Sequence, residues 1–505
     1  MDRHIDKAPP PSPASALSRD SDRTLTEQLA QRFADRIRQN WLAPGSRLPS
    51  VRECAKTHHV SSYTVVAAYD QLQAQGLIEA RSQRGYYVRQ TPRAVAEPTP
   101  GDTRPHPFQP STPIDATTLI RGLFHEPGAR PMPGLGTLPP AWLDVGMLGS
   151  ALRRVTQGDK LLPLTLHYGE PAGDARFRRA MSMRLSEYQL KVDADQIITT
   201  LGATQALDLV TRTLLQAGDA VLVDEPAWPV EYARLTQLGL RVLPVPRGPE
   251  GPDLDILNKL AKAHSPKLYV TVSVLHNPTS AMLSPGHAHQ VLRLAETHNF
   301  HILEDDIYGF LAPAHATRLC VLDKLQRTIM VGSFSKILTP SWRVGYIAAP
   351  PQLVERITNT KLLTSLTTPP MLEQAIALCL EQGLLRRFSE RVTQQLDAAR
   401  ARTVQLARQA GCSFAAEPQG LFGWVDTGMD TERLTIPMLD AGWLIAPGAL
   451  FHAQRRPSTL MRINFASSQD AKFWKALQAQ RKRATASASS ARFGTSTSLG
   501  WPRDS

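Results

Sequence analysis

Apolar positions recur every fourth residue at Leu29, Phe33 and Ile37, with charged residues between them. This spacing predicts a helix that ends near Trp41, where Pro44-Gly45 stops it. Ser50, with Glu53 three residues on, is the signature of a capped start for a short helix over Val51 to Thr57. Ser61 or Ser62 caps a third helix, whose inner face carries Val65, Tyr69 and Leu72 and which Gly76 ends. Leu77 to Ala80 and Gly85 to Arg89 read as two short strands around the basic turn Arg81-Ser82-Gln83-Arg84. From about residue 131 to 480 the pattern changes. Short β-rich runs (Val221-Leu222-Val223, Leu268 to Val272, His301-Ile302-Leu303, Ile329-Met330-Val331, Val344 to Ala348) alternate with helical segments, the first around Trp142 to Val155. Such alternation predicts an α/β domain with a mostly parallel sheet. Three stretches lack periodicity and are read as a disordered leader (1–22), a semi-extended Pro-rich linker (91–130) and a disordered tail rich in Ser, Ala and Arg (481–505).

At 505 residues the chain is long enough for two or three domains, and 42% hydrophobic content supports sizeable cores. No apolar run approaches the ~20 residues of a membrane span, and the basic, Pro-containing N-terminus lacks an apolar signal core. The expected location is therefore cytoplasmic. Cys54, Cys320, Cys379 and Cys412 are scattered without paired spacing, which argues against a structural metal and for a reducing compartment. The formal charge is +12, and residues 22–90 carry +4 of it, which suits a nucleic-acid partner.

The order helix, helix, turn, helix, hairpin is that of a winged helix-turn-helix. The stretch Leu42-Ala43-Pro44-Gly45-Ser46-Arg47-Leu48-Pro49-Ser50-Val51-Arg52-Glu53, continued by Val60-Ser61-Ser62-Tyr63-Thr64-Val65, Gln75-Gly76-Leu77-Ile78 and Gly85-Tyr86-Tyr87-Val88, resembles the signature of the GntR family over about residues 24–90. The resemblance implies a double-stranded operator as partner. It makes Arg47 and Arg52 backbone or base contacts, places Ser61, Ser62, Tyr63 and Thr64 at the start of the recognition helix, and puts Arg84 and Gly85 at the wing tip.

The chemistry centres on Val331-Gly332-Ser333-Phe334-Ser335-Lys336, with Arg343 seven residues beyond the lysine. A Lys in a small-polar turn is either a loop amine or a chemical handle, and the full pattern S-x-S-K-x-x-x-P-x-x-R-x-G decides for the handle. It resembles the cofactor lysine of fold-type I aminotransferases, which carry pyridoxal 5'-phosphate (PLP) as a Schiff base. The resemblance makes Lys336 the covalent and catalytic lysine, and Ser333 and Arg343 phosphate ligands. Ala203 and Thr204, in the small-residue loop Leu201-Gly202-Ala203-Thr204, add backbone amides to the phosphate. Trp228 in Asp224-Glu225-Pro226-Ala227-Trp228 stacks on the ring. His276-Asn277-Pro278-Thr279-Ser280 resembles an H-N-P-T-G turn with Ser in place of the Gly. In it Asn277, joined by Tyr308, holds the 3'-oxygen. Asp305, or Asp306 as the alternative, pairs with the pyridine nitrogen. In Met461-Arg462-Ile463-Asn464-Phe465-Ala466, Arg462 is implied as the residue for a substrate carboxylate. Tyr168, in a Y-x-x-P-x-G turn, is implied at the substrate site of a partner subunit.

A GntR-type module (23–90) ahead of an aminotransferase class I/II-like module (131–480) with a smaller C-terminal subdomain resembles the MocR subfamily of GntR regulators. That implies a PLP-dependent transcription regulator sensing an amino-acid-like or PLP-related effector, usually as a homodimer. A working aminotransferase with an appended DNA-binding module is the alternative. A DNA-binding protein whose large domain is only a dimerisation scaffold is a third reading, disfavoured by the intact site residues. Effector, operator and direction of regulation stay open.

Overall fold

The computed structural model describes Leu17, residues 23–38, Leu42, and residues 45–81, 85–89 and 132–493. The leader, apart from Leu17, and the linker fall outside the described residues. The chain divides into two compact units, Met1–Pro131 with Thr435–Trp443, and Met132–Leu434 with Leu444–Ser505.

The first unit begins with α1 (Leu25–Arg38), α2 (Val51–His58) and α3 (Ser62–Ala74), followed by strands β1 (Ile78–Arg81) and β2 (Gly85–Val88). Each helix start is fastened locally. Thr24 and Glu27 bond each other's main-chain amides at α1. The Ser50 hydroxyl accepts from the Glu53 amide at α2, and the Ser61 hydroxyl from the Thr64 amide at α3. Ser61 is thus the cap of the third helix, and Ser62 its first residue. The apolar stripes meet in one core of Leu29, Phe33, Cys54, Val65, Tyr69 and Leu72. Each large side chain buried there contributes roughly 1.5–3 kcal/mol. The Tyr69 hydroxyl, buried with its ring, donates to Pro49 O at 2.9 Å and pins the approach to α2. β1 and β2 pair antiparallel with Ile78 opposite Val88.

The second unit is built on seven strands: β3 (Ile197–Thr200), β4 (Ala220–Glu225), β5 (Arg241–Pro246), β6 (Leu268–Thr271), β7 (His301–Asp305), β8 (Thr328–Ser333) and β9 (Gly345–Ala348). Their spatial order is β3-β9-β8-β7-β6-β4-β5. Only β9 runs antiparallel to its neighbours. Side chains alternate between two buried faces. Ile197, Met330 and Ala348 pack to one side, and Ile198, Ile329, Val331 and Ile347 to the other. Helices cover both faces, so the strands read as continuous apolar runs. β5 escaped the sequence reading because Pro244 and Pro246 interrupt it. It occupies the sheet edge, where a missing N–H is tolerated. A second, four-stranded antiparallel sheet, in the order β10-β11-β13-β12, holds β10 (Ser413–Phe414), β11 (Phe422–Asp426), β12 (Ala446–Pro447) and β13 (Leu460–Asn464), and is the smaller C-terminal subdomain.

Two boundaries differ from the sequence reading. The helix placed at Trp142 to Val155 is a short 3-10 turn, Pro140–Trp142, followed by a helix over Val145–Thr156 whose cap is the Asp144 carboxylate. The tail read as disordered from 481 begins inside a helix that runs over Ala471–Phe493. Its Ala and Arg are good helix formers, and Arg481 anchors it by donating to Ala410 O at 2.7 Å.

Candidate functional site

The parallel strands β4, β6, β7 and β8 deliver Glu225, Thr271, Asp305 and Ser333 to one edge, the position where open α/β sheets bind ligands. After β8 the chain turns sharply. Phe334 N bonds Val344 O at 3.1 Å, while Phe334, Ile337 and Leu338 are buried. These anchors fix Lys336 between them. Its Nζ donates to Gly136 O at 2.8 Å. Burial first, then the Arg462 charge, lower its pKa to about 8 against the opposing pull of Asp305.

Four elements converge on an anion cradle. The Arg343 backbone is held at a left-handed φ of 52°. Its guanidinium donates to Leu201 O at 3.0 Å and Ser335 Oγ at 3.3 Å. Ser333 Oγ donates to Ser335 Oγ at 3.0 Å. The helix Gly202–Leu214 opens against this group, with Ala203 and Thr204 in its first turn and its free amides directed outward. Gly202 is required there, since a Cβ would stand 2.6 Å from Arg343 Nη2.

Asn277, Tyr308 and Arg462 form the opposite wall. Asn277 Oδ1 accepts from Arg462 Nη1 at 3.1 Å, and the buried Tyr308 hydroxyl lies near the Asn277 side chain. Arg462 is buried. Its Nη2 donates to Gly134 O at 2.6 Å, its plane lies 4.5 Å from the Phe422 ring, and its Nε has no partner. Burial lowers its pKa to about 10. Ser280 keeps the left-handed backbone of the glycine it replaces (φ 63°), and its hydroxyl donates to Phe422 O. The Ser therefore preserves the turn and ties it to β11.

The two neighbouring acids separate by role. Asp306 is committed to Arg318, whose Nε lies 3.2 Å away. Asp305 accepts only from the Ile307 amide at 3.1 Å among the bonds described. Burial and the nearby Glu231 charge push its pKa up to about 7. Trp228 is partly buried at the start of the helix Pro229–Gln237. Tyr168 is 82% exposed, so its own chain does not bring it into the site. Ser335, Gly134, Gly136 and Phe422 join the site although the sequence reading gave them no role in it; Gly134 to Pro140 reads there only as the stretch that opens the aminotransferase-like module. Ser335 stood within the S-x-S-K pattern, while the two glycines act through carbonyls, which side-chain motifs do not advertise.

The group fits PLP. The cradle offers a guanidinium, two hydroxyls and helix amides for a phosphate. Asp305 offers a carboxyl that makes no ion pair among those described, for the pyridine nitrogen. Asn277 Nδ2 and Tyr308 offer donors for the ring oxygen, and Lys336 an amine of lowered pKa for the aldehyde.

A family model described as aminotransferase class I and II matches residues 160–479, more than half of the chain. The chain belongs to the class I and II aminotransferase family. The family is PLP-dependent. Ahead of the aminotransferase unit, the model for bacterial regulatory proteins of the gntR family matches residues 25–88. Together they make the MocR-type architecture. The chain is 27% identical over 474 residues to the HTH-type transcriptional regulator YisV of Bacillus subtilis (strain 168), covering 90% of this chain and 95% of that protein. It is also 27% identical over 458 residues to the HTH-type transcriptional regulator YdcR of Escherichia coli (strain K12), covering 87% and 94%. The kynurenine aminotransferase of Pyrococcus horikoshii, solved in complex with PMP, shares the fold of the aminotransferase unit. Its TM-score is 0.66 at 23% identity, over 73% of this chain and 94% of that one.

In the gntR-type unit, Arg47, Arg52, Ser61, Ser62 and Tyr63 are exposed, and Thr64 is half-buried beside its cap. Arg47 reaches the wing, since a Cβ on Gly85, which sits at φ +97°, would stand 3.5 Å from Arg47 Nε. Arg84 lies outside the described residues. Among the described residues no helix is long and apolar enough to cross a membrane.

Proposed function

We propose that this protein is a transcription regulator whose aminotransferase-family unit binds PLP and an amino-acid-like effector, and whose winged helix binds operator DNA. The observation that carries the reading is Arg462. A buried guanidinium with a free Nε, beside an amine of lowered pKa, is built to receive a carboxylate and an amine from one small molecule. When bound, PLP supplies an aldehyde and an electron-withdrawing ring. Lys336 offers the amine, Asp305 holds the ring nitrogen, Arg343 with Ser333 and Ser335 holds the phosphate, and Asn277 with Tyr308 orients the ring. On the DNA side, Tyr63 at 82% exposure and the capped start of α3 offer a polar helix N-terminus for a groove, with Arg52 and Arg47 exposed in the same unit.

A cytoplasmic homodimer is part of the proposal. Leu161, Leu162, Leu166, Leu363 and Leu366 are exposed in the same unit as Tyr168, an apolar surface that suits a second copy. The second reading, a working aminotransferase, draws on the same lowered Lys336 pKa, which suits proton transfer near neutral pH. The test measures turnover against a panel of amino acids, alongside DNA binding with and without PLP and the same amino acids. Effector-dependent DNA binding with negligible turnover supports regulation. Turnover without any specific DNA binding rejects it.

A further inference from the structure

Residues Met132–Thr137 form a strap that opens in a tight turn, with Leu135 N on Met132 O at 3.1 Å, and all of its carbonyls are taken, in two sets. Met132 O accepts from Ser467 Oγ at 3.2 Å and Pro133 O from Asn464 N at 2.9 Å. Leu135 O and Thr137 O both accept from Asn464 Nδ2, at 3.1 and 2.7 Å. The intervening carbonyls go to the site's two cations, Gly134 O to Arg462 Nη2 at 2.6 Å and Gly136 O to Lys336 Nζ at 2.8 Å. The strap lies close against both neighbours. A Cβ on Gly134 would stand 2.7 Å from Ile445 C, and one on Gly136 would stand 3.4 Å from Phe422 and 3.5 Å from Lys336 Nζ.

Asn464 therefore holds three of the strap's carbonyls, and the residues that the proposed function assigns to cofactor and effector hold two. We propose that the strap is an internal competitor for those cations, released when PLP and a carboxylate take them. The inference rests on that assignment of Lys336 and Arg462. Condensation of the Lys336 amine with the PLP aldehyde forms a C=N bond as one water leaves, and Nζ falls from three N–H groups to at most one. At most one donor would then remain on Nζ, where the free amine has several to offer Gly136. A carboxylate at Arg462 takes two parallel N–H groups, Nε and an Nη2 hydrogen, and competes with Gly134 O for Nη2. Buried carbonyls that lose their donors disfavour the docked strap.

Hydrogen–deuterium exchange on the full-length protein tests this, with PLP occupancy read in parallel by visible absorbance. The amide of Gly134 bonds Leu444 O at 2.9 Å, outside the strap, so its exchange reports docking, whereas the Leu135 amide, on Met132 O at 3.1 Å, reports the strap's own turn. PLP is expected to speed exchange across residues 134–137 on the order of tenfold, and PLP with L-alanine further still. Lys336→Ala should show fast exchange without PLP. Lys336→Arg, which keeps a donor but cannot condense, should stay protected with and without PLP. Bound PLP with unchanged or slower strap exchange in the wild type overturns the strap inference alone. Absence of bound-PLP absorbance overturns the assignment beneath it as well.

Discussion

Arg462 Nη1 donates to Asn277 Oδ1 at 3.1 Å, and this bond ties β13 of the small sheet to the turn after β6 of the large one. It also orients the Asn277 amide. With Oδ1 turned to the guanidinium, Nδ2 is left to donate toward the cofactor oxygen. The residue proposed for the effector thereby positions a residue proposed for the cofactor. Arg462→Lys keeps a charge but loses the planar fork that serves both partners. Amino-acid affinity, read by the absorbance change on titration into the PLP-loaded protein, is expected to fall by about 1.5–3 kcal/mol, the strength of a charge-assisted bond. PLP affinity should fall only a few-fold. Equal losses in both would show that Arg462 is not a carboxylate residue.

The Lys336 amine is expected to capture PLP with a pH midpoint near 8. Its pKa is lowered to about 8, so the neutral nucleophilic form already dominates above that pH. Capture rates should rise through pH 8 and level off by about pH 9, whereas an ordinary lysine would keep gaining up to about 10.4. Stopped-flow absorbance across this range decides it, and a midpoint near 10 would contradict the buried position of the amine.

Much of this site was legible in the sequence because the chemistry demands side chains at strand ends. Asn277, Asp305 with Tyr308, Lys336 with Arg343, and Arg462 each follow or occupy a short apolar run, and four such runs in order specify one crevice. The sequence favours Asp305 and leaves Asp306 as the alternative, which Arg318, twelve residues beyond Asp306, claims for itself. Ser280 looked like a departure, yet a Ser hydroxyl bonding Phe422 O offsets the cost of a left-handed backbone. What stayed hidden acts through the main chain or through distance. Gly134 and Gly136 contribute carbonyls. Asn464 stood in the quoted motif, but its amide serves residues more than three hundred positions earlier.

Gly202→Ala is expected to weaken PLP binding by tenfold or more. The residue sits at φ +78°, and its Cβ would press on Arg343 at 2.6 Å. The backbone strain alone costs about 1–2 kcal/mol, and the displaced guanidinium leaves the cradle without its charge. Equilibrium dialysis with PLP, compared with free inorganic phosphate as competitor, measures it. Undiminished PLP affinity would place the phosphate elsewhere.

In the DNA-binding unit, two neighbouring residues should separate folding from recognition. Ser61→Ala removes the α3 cap and is expected to cost about 0.5–2 kcal/mol of stability. Tyr63→Ala, at 82% exposure, should leave the melting temperature unchanged while lowering operator affinity. Arg52→Ala should weaken binding by about 1–3 kcal/mol if it reads a base, or reduce the salt slope by about one if it contacts phosphate. Footprinting across a salt series distinguishes these outcomes. An unchanged footprint for both Tyr63→Ala and Arg52→Ala would remove this face from the interface.

Lys361 and Glu373 offer a stability test in the second unit. Lys361 is buried, and its Nζ donates to Thr199 Oγ1 and Thr368 Oγ1 at 3.2 Å each. Burial lowers its pKa to about 8, the Glu373 charge opposes that shift, and Arg178 adds to it. Glu373 is also buried, with Oε2 on the Asp174 amide at 2.7 Å and Oε1 without a partner. Lys361→Met takes a nearby positive charge from that buried carboxylate and is expected to lower stability. The threonine hydroxyls, 2.6 Å apart, continue to satisfy each other. Adding Glu373→Gln should recover part of the loss, so the double variant is more stable than the sum of the singles by about 1 kcal/mol or more. The pH dependence has a definite sign. With the folded pKa below the unfolded value of about 10.4, the unfolded chain holds the extra proton between pH 8 and 10.4, so this lysine makes stability rise with pH across that window. Denaturant titrations at pH 7, 8 and 9.5 should show the wild type gaining on the double variant as pH rises. Parallel curves would mean that Lys361 titrates as an ordinary lysine.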